Sequence, residues 1–378
     1  MNPKTVLFIP SNDNHVKIFH PIYEILKSKF HIVFLSQESY KNEGVEKTLL
    51  DLGIDFKKFE EYEKKDPDYI LKKENVGIVV IGNDVDVIPQ WFIHSANNLG
   101  LSSVLIQDGL LFDINTSKNI KNKLYLISKI SRLKLLALRL IFSRQYKRIT
   151  DGEGGCTQIQ VWGKLSESYM LNKGIDRDKI VITGSPLWNE IKQIKHTSHT
   201  QKIVLYAPTE LIHTNILKQM ELMELADAVC SVVLSHKNTK LIIKPHPREN
   251  PKFYEPLKKK YSSELEISYG HFYSLLEESD VLVTNLSTVT IESLAARKPV
   301  IIFFPKIETI VNSNTFPRDL IEKNIVLYAN DKSLLHAHLL KTLNGEYSHN
   351  ESLNFVLEQY LGPQDSVASR SADFIAKL

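Results

Sequence analysis

The sequence predicts an α/β chain of two doubly wound halves, each a parallel sheet with helices packed on its faces. Three observations predict it. First, short runs of β-branched and apolar residues alternate with stretches of helical period along most of the chain, the pattern of repeated βαβ units. Second, such a unit reads clearly in each half. In one, Val6–Ile9 and Ile32–Leu35 flank the helical stretch Val16–Lys27; in the other, Val281–Val283 and Val300–Phe304 flank Thr288–Ala296. Third, 378 residues are too many for one ordinary core and suit two domains.

The elements follow in order. Val6–Ile9 is a strand, Ser11–His15 a polar loop, and Val16–Lys27 a helix with Val16, Phe19, Ile22, Tyr23 and Leu26 on one face. Ile32–Leu35 is the second strand. Glu43–Leu52 reads as a helix, Ile54–Phe59 as a strand, and the charged Glu60–Glu74 as a surface helix. Val76–Ile81 is a strand that ends at Gly82, Asn83 and Asp84, and the helix Ile88–Leu99 stops at Gly100. Ser103–Ile106 is a strand leaving through Gln107, Asp108 and Gly109. Ile159–Trp162 and Ile180–Thr183 are further strands, with the helix Ser166–Asn172 between them. The first domain is expected over residues 1–190, and the polar, patternless stretch Lys192–Gln201 is a linker. A second domain, 201–361, opens with the strand Ile203–Tyr206 and its exit Ala207, Pro208 and Thr209. The helix Met220–Ser235 leads to the strand Leu241–Ile243, and Asn324–Tyr328 and Ser333–Leu343 add a strand and a helix. Residues 362–378 form a last helix from Ser366.

Composition narrows the classes. Hydrophobic residues at 43% and charged ones at 24% are ordinary for a globular protein, and a net charge of +3 makes no case for nucleic acid. Cys156 and Cys230 lie far apart without a spacing pattern, which points to a reducing cytosol and no metal site. Met1–Lys4 leads straight into a strand, with no signal peptide, and no apolar run approaches the roughly 18 residues of a membrane span. Residues 114–149 stand apart, with ten Lys or Arg, no acidic residue, and Leu124, Ile127, Leu135, Leu138 and Phe142 on an apolar side. Such a basic amphipathic stretch suits an anionic membrane surface; a core-facing helix with a solvated basic face, or a partly disordered insert, is the plainer alternative.

Candidate chemistry sits at strand ends, where open α/β sheets bind ligands. Asn285, Ser287 and Thr288 occupy the turn from a strand into a helix whose first N–H groups and dipole favour an anion, and Glu292 follows one turn later on the face of Thr288. A carboxylate there suits two ribose hydroxyls. The bland alternative makes Ser287 and Thr288 caps and Glu292 a solvated residue. Lys244 and His246, set between Pro245 and Pro247 at the end of another strand, suit a diphosphate; a structural histidine is the alternative. Thr209 ends a neighbouring strand, within reach of the same donor. In the first half the loop lacks Gly-x-Gly-x-x-Gly, so NAD and FAD are not expected. His15 leads as general base, with Asp13 its rival and a helix cap at Asp13 or Asn14 the structural alternative. Asp108 is a further base or acceptor-positioning group, and Asn83 and Asp84 are expected on the acceptor side.

Taken together, Lys244-Pro245-His246-Pro247, the Ser-Asp-strand-turn from Ser279 through Thr288 to Glu292, and Lys298-Pro299-Val300-Ile301 resemble the GT-B glycosyltransferases. Within them the pattern is nearest to the CDP-glycerol glycerophosphotransferase and capsular-polysaccharide transferase group, chiefly over residues 200–305. Asn14-His15-Val16 resembles the Gly-His-Val that opens many GT-B transferases, with Asn for Gly. Thr183-Gly184-Ser185-Pro186 resembles their interdomain turn. The resemblance implies two Rossmann-like domains facing a central cleft, with the final helix crossing back to the first. It implies donor phosphates at His246, Ser287 and Thr288, ribose at Glu292, and the nucleotide base near 269–276. Relatives often carry Gln-His-Gly where this chain has Gln107-Asp108-Gly109, so a histidine's role is not carried onto Asp108. The expected activity is metal- and cofactor-independent transfer of a sugar, from a UDP-sugar first of all, to a glycan or lipid-linked acceptor in cell-surface polysaccharide synthesis. The expected place is the cytoplasm, with residues 114–149 at the inner face of the plasma membrane. Three alternatives stand beside it: glycerophosphate transfer from CDP-glycerol, a UDP-sugar 2-epimerase (whose Ser-Gly-Gly turn is replaced by Asn285-Leu286-Ser287), and a catalytically silent GT-B scaffold.

Overall fold

The computed structural model describes residues 4–40, 43–111, 150–195, 197, 200–209, 217–246, 249–250, 252–261, 264–312 and 315–378. The basic stretch 114–149 lies outside the described residues. The described chain divides into two compact units, one of residues 4–111, 150–188 and 358–378, the other of 189–357.

The first unit holds strands β1 (Thr5–Ile9), β2 (His31–Ser36), β3 (Phe56–Lys58), β4 (Val76–Ile81), β5 (Ser102–Ile106), β6 (Gln158–Val161) and β7 (Ile180–Ile182). All pair in parallel in the order β3-β2-β1-β4-β5-β6-β7, with Leu7 opposite Val33 on one side and Val79 on the other. Parallel strands covered on both faces need continuous apolar sequence, and Val6, Leu7, Phe8 and Ile9 are all fully buried. The chain first builds outward from β1 through β2 and β3, then returns to place β4 on the other flank. The strand order therefore reverses between β1 and β4.

The second unit holds β8 (Lys202–Ala207), β9 (Thr239–Ile243), β10 (Leu265–Ile267), β11 (Val281–Thr284), β12 (Val300–Phe303) and β13 (Leu327–Ala329), parallel in the order β10-β9-β8-β11-β12-β13. Leu205 lies opposite Leu282 and Ile242. Its reversal falls between β8 and β11.

The C-terminal segment belongs to the first unit. Its helix Val367–Ala376 packs on the helix Asp13–Leu26. Arg370 Nε donates to the Thr183 carbonyl at 2.9 Å and Gln160 Nε2 to the Ser371 carbonyl at 3.2 Å. The approach runs through Gly362, whose φ of +70° suits glycine and whose missing Cβ would lie 1.9 Å from the Trp162 carbonyl oxygen.

Two local readings are corrected. Residues 60–74 are not one helix: a 3₁₀ turn spans Phe59–Glu61, and the helix Pro67–Lys73 begins only at Pro67. Asp66, ahead of a proline, is held in extended backbone, and Pro67 then suits a first helical position. The first helix begins at Asp13, and its cap is neither Asp13 nor Asn14 but Asn12, whose side chain accepts the His15 N–H at 2.9 Å.

Candidate active site

In the first unit the candidate residues gather at the carboxyl ends of β1, β4 and β5, around its strand-order reversal. His15 is fully buried. Its ring lies so close to Gly82 that a Cβ there would come within 2.5 Å of it. Nδ1 accepts the Ser11 N–H at 3.0 Å, and Nε2 bonds Asp108 Oδ2 at 2.8 Å. The Asp108 side chain is 37% exposed. Its turn is fixed on several sides. Asn14 Nδ2 donates to the Asp108 carbonyl at 3.1 Å, the Gln107 side chain accepts the Trp162 N–H at 2.8 Å, and Gln107 Nε2 donates to the Gly109 carbonyl at 2.7 Å. Asp13 stands elsewhere, in a surface pair with Lys17 at 2.8 Å.

Asn83 and Asp84 serve the architecture of the loops. Asn83 exchanges hydrogen bonds with Asp86, and the buried Asp84 accepts the Gly152 and Gly154 N–H groups at 3.1 and 2.7 Å. Burial pushes the Asp84 carboxyl up, against those amides, which lower it. The Asp-x-Asp spelling at Asp84-Val85-Asp86 is thus engaged by protein groups. Among the described residues no cluster of three or more His, Cys, Asp or Glu side chains suits a metal ion. The turn that Asp84 anchors carries Asp151, a residue without a sequence motif. Asp151 lines a recess with Gly82, Leu105, Gln107, Asp108 and Leu111. Burial, then the charges of Asp84 and Asp108, pushes its carboxyl up to about 6.

In the second unit the candidates sit at the β8/β11 reversal and at the adjoining end of β9. Asn285 is fully buried and bridges the reversal: its Oδ1 accepts the Thr209 N–H at 2.8 Å, while the Thr209 hydroxyl donates to the Leu286 carbonyl at 2.7 Å. The Asn285 amide nitrogen is buried without a protein partner among the described residues. Ser287 and Thr288 are partly exposed, and Thr288 precedes the seven-residue helix Val289–Ala295 without a side-chain cap bond. Glu292 is buried, not solvated, at 7% exposure. Burial raises its carboxyl to about 7, against a hydrogen bond from Tyr273 that lowers it. Lys244 and His246 are partly exposed at the exit of β9. Glu249, absent from the sequence reading, fixes that exit: it accepts the His246 N–H at 2.9 Å and the Tyr254 hydroxyl at 3.2 Å. Burial pushes Glu249 to about 7.

Two doubly wound parallel units, each with polar residues at its reversal, make this a GT-B protein. A family model, CDP-Glycerol:Poly(glycerophosphate) glycerophosphotransferase, matches residues 164–370, more than half of the chain, and the chain belongs to that transferase family. No curated protein matches it. Solved structures of similar fold include the Staphylococcus aureus MnaA–UDP complex, at 15% identity and TM-score 0.62 over 99% of this chain and 96% of that one. The Neisseria meningitidis UDP-GlcNAc 2-epimerase bound to UDP-GlcNAc matches at 12% identity and TM-score 0.62, over 99% and 100% of the two chains. A variant of the wall teichoic acid polymerase TagF soaked with CDPG matches at 13% identity and TM-score 0.59, over 100% and 89%. At these identities the likeness is one of fold.

Proposed function

We propose that the chain moves a sugar from a nucleotide-diphosphate donor, a UDP-sugar first of all, to a hydroxyl of a glycan or lipid-linked acceptor in cell-surface polymer synthesis. The observation that carries this is the β8/β11 reversal, where Asn285 ties Thr209 across the two strands and keeps a buried amide N–H₂ without a partner among the described residues. Reversals of open α/β sheets are where ligands bind. A donor there would meet Ser287 and Thr288 at its phosphates, with Lys244 and His246 at the neighbouring strand end and Glu292 for the ribose hydroxyls. In the reaction the acceptor oxygen attacks the anomeric carbon, the bond from that carbon to the diphosphate breaks, and the diphosphate leaves with the electron pair. Cationic and N–H groups fixed beside the leaving group stabilise the charge that grows on it. The acceptor's proton passes to a basic side chain. No metal or other cofactor is assigned to any step, and the reaction is placed at the cytoplasmic face of the membrane.

A second reading is glycerophosphate transfer from CDP-glycerol, favoured by the family match over residues 164–370. The attacked atom is then phosphorus and the leaving group CMP. A panel of UDP-sugars and CDP-glycerol, offered with and without polyol and lipid-linked acceptors and read by mass spectrometry, separates the readings. UDP with a glycosylated product supports the first, and CMP with a glycerophosphate product the second. A rearranged UDP-sugar without transfer, or no nucleotide binding at all, overturns both.

A further inference from the structure

Two carboxylates, Asp108 and Asp151, line the recess of the first unit. Asp108 is also in contact with the buried His15, and the surroundings of that pair decide which of its two members can meet an acceptor. A histidine acting as base must offer a bare nitrogen to the acceptor. His15 is fully buried, so neither ring nitrogen meets solvent. Its Nδ1 receives the Ser11 N–H at 3.0 Å. A proton on Nδ1 would set two N–H groups against each other, so the neutral ring carries its proton on Nε2. That N–H points at Asp108 Oδ2, 2.8 Å away. The ring has little freedom to turn, because Gly82 leaves room for it only by lacking a Cβ and the Asn12 side chain holds the start of its helix. Asp108 is the partly exposed member of the pair, at 37%, and it lines the recess.

We propose that Asp108 takes the acceptor's proton and that His15 is its positioning residue, aiming the carboxylate with an Nε2–H bond. The assignment of a proton acceptor rests on the transferase reading; the tautomer does not. The acceptor O–H bond breaks and its proton moves to Asp108 Oδ1. The freed oxygen pair forms the bond to the donor's electrophilic atom, and the bond from that atom to the leaving phosphate oxygen breaks with its pair. Asp108 returns the proton to water afterwards. The roles reverse the arrangement in which a carboxylate orients a basic imidazole.

The test has two arms. In the first, the full chain labelled with ¹⁵N-histidine is examined by NMR at neutral pH, the His15 signals being assigned by their loss in His15→Gln. A bare Nδ1 with a protonated Nε2 is expected, and an Nδ1–H tautomer overturns the proposal without reference to any substrate. In the second, turnover is followed with the donor that the nucleotide panel identifies. Asp108→Asn should lower kcat by a factor on the order of 10³, within the usual range for a lost general base, with donor KM little changed. His15→Gln supplies both an N–H for Asp108 and a carbonyl for Ser11, and should stay within about tenfold of the native rate, a range set well inside the loss expected of a missing base. Asp108→His should move the acid limb of the pH–rate profile towards the imidazole value of about 6.5. Equal loss in His15→Gln and Asp108→Asn overturns the proposal, as does an active Asp108→Asn. Each variant is checked by circular dichroism and nucleotide binding, so misfolding is distinguished from lost chemistry. If no donor turns over, the transferase reading fails while the tautomer still reports on His15.

Discussion

His246 and Glu292 show how differently two polar residues of one unit are held. The His246 N–H donates to Glu249 at 2.9 Å at the end of β9. His246→Ala keeps that backbone bond available and should weaken donor binding by roughly 1.5–3 kcal/mol, the scale of a hydrogen bond to a charged group. Titration calorimetry with the donor checks this, and an unchanged affinity removes His246 from the site. Glu292 is buried with its carboxyl raised to about 7 from an ordinary 4.5. Between those values the folded chain keeps a proton that the unfolded chain has lost, so stability falls as pH rises through that window. Glu292→Gln carries no such proton. Its melting temperature relative to the native chain should climb from about pH 4.5 to about pH 7 and then level, a gain of up to about 3 kcal/mol. A difference that does not vary with pH would show that Glu292 is not held in its protonated form.

Among the elements, those legible in the sequence were the ones with a strong period. The runs Val6–Ile9, Val76–Ile81 and Val281–Val283 lie within β1, β4 and β11 because strands buried on both faces leave no room for polar residues. β10 went unread because Leu265–Ile267 is three residues long with Glu266 at its centre, too short to show a period. The site was legible where a residue ends a strand, as with Thr209, His246, Asn285 and Asp108. Asp151 and Glu249 carry no such mark: the turn of Asp151 is held by Asp84, far away in sequence, while Glu249 is held locally, by the His246 N–H and the Tyr254 hydroxyl, in a loop that has no period to read. The returning C-terminal segment depends on one backbone detail. Gly362 passes the Trp162 carbonyl where a Cβ would lie 1.9 Å away, at a φ of +70°. Gly362→Ala adds about 1–2 kcal/mol of left-handed strain to that overlap. The helix Val367–Ala376 should lose its seat on the first unit, shown by faster hydrogen exchange in residues 367–376 and a lower melting temperature. Unchanged exchange there would mean that the carbonyl yields instead.

For the molecule as a whole, the remaining question is where it works, and the sequence supplies one handle. Among the described residues no helix is long and apolar enough to cross a membrane. Residues 114–149 carry ten Lys or Arg and no acidic group. Each basic residue near an anionic bilayer contributes about 1 kcal/mol, weakened by salt within a Debye length. If these residues bring the chain to a membrane that presents a lipid-linked acceptor, replacing Lys129, Arg132 and Arg139 by Gln should cost about 3 kcal/mol, a drop on the order of 10² in binding to vesicles rich in anionic lipid. Neutral vesicles should bind both forms weakly, and added salt should erase most of the difference. Sedimentation with vesicles measures all three, with circular dichroism confirming that the triple variant is folded. Equal binding of native and variant chains to anionic vesicles would leave the basic stretch without a membrane role and place acceptor capture with the strand-end recess alone.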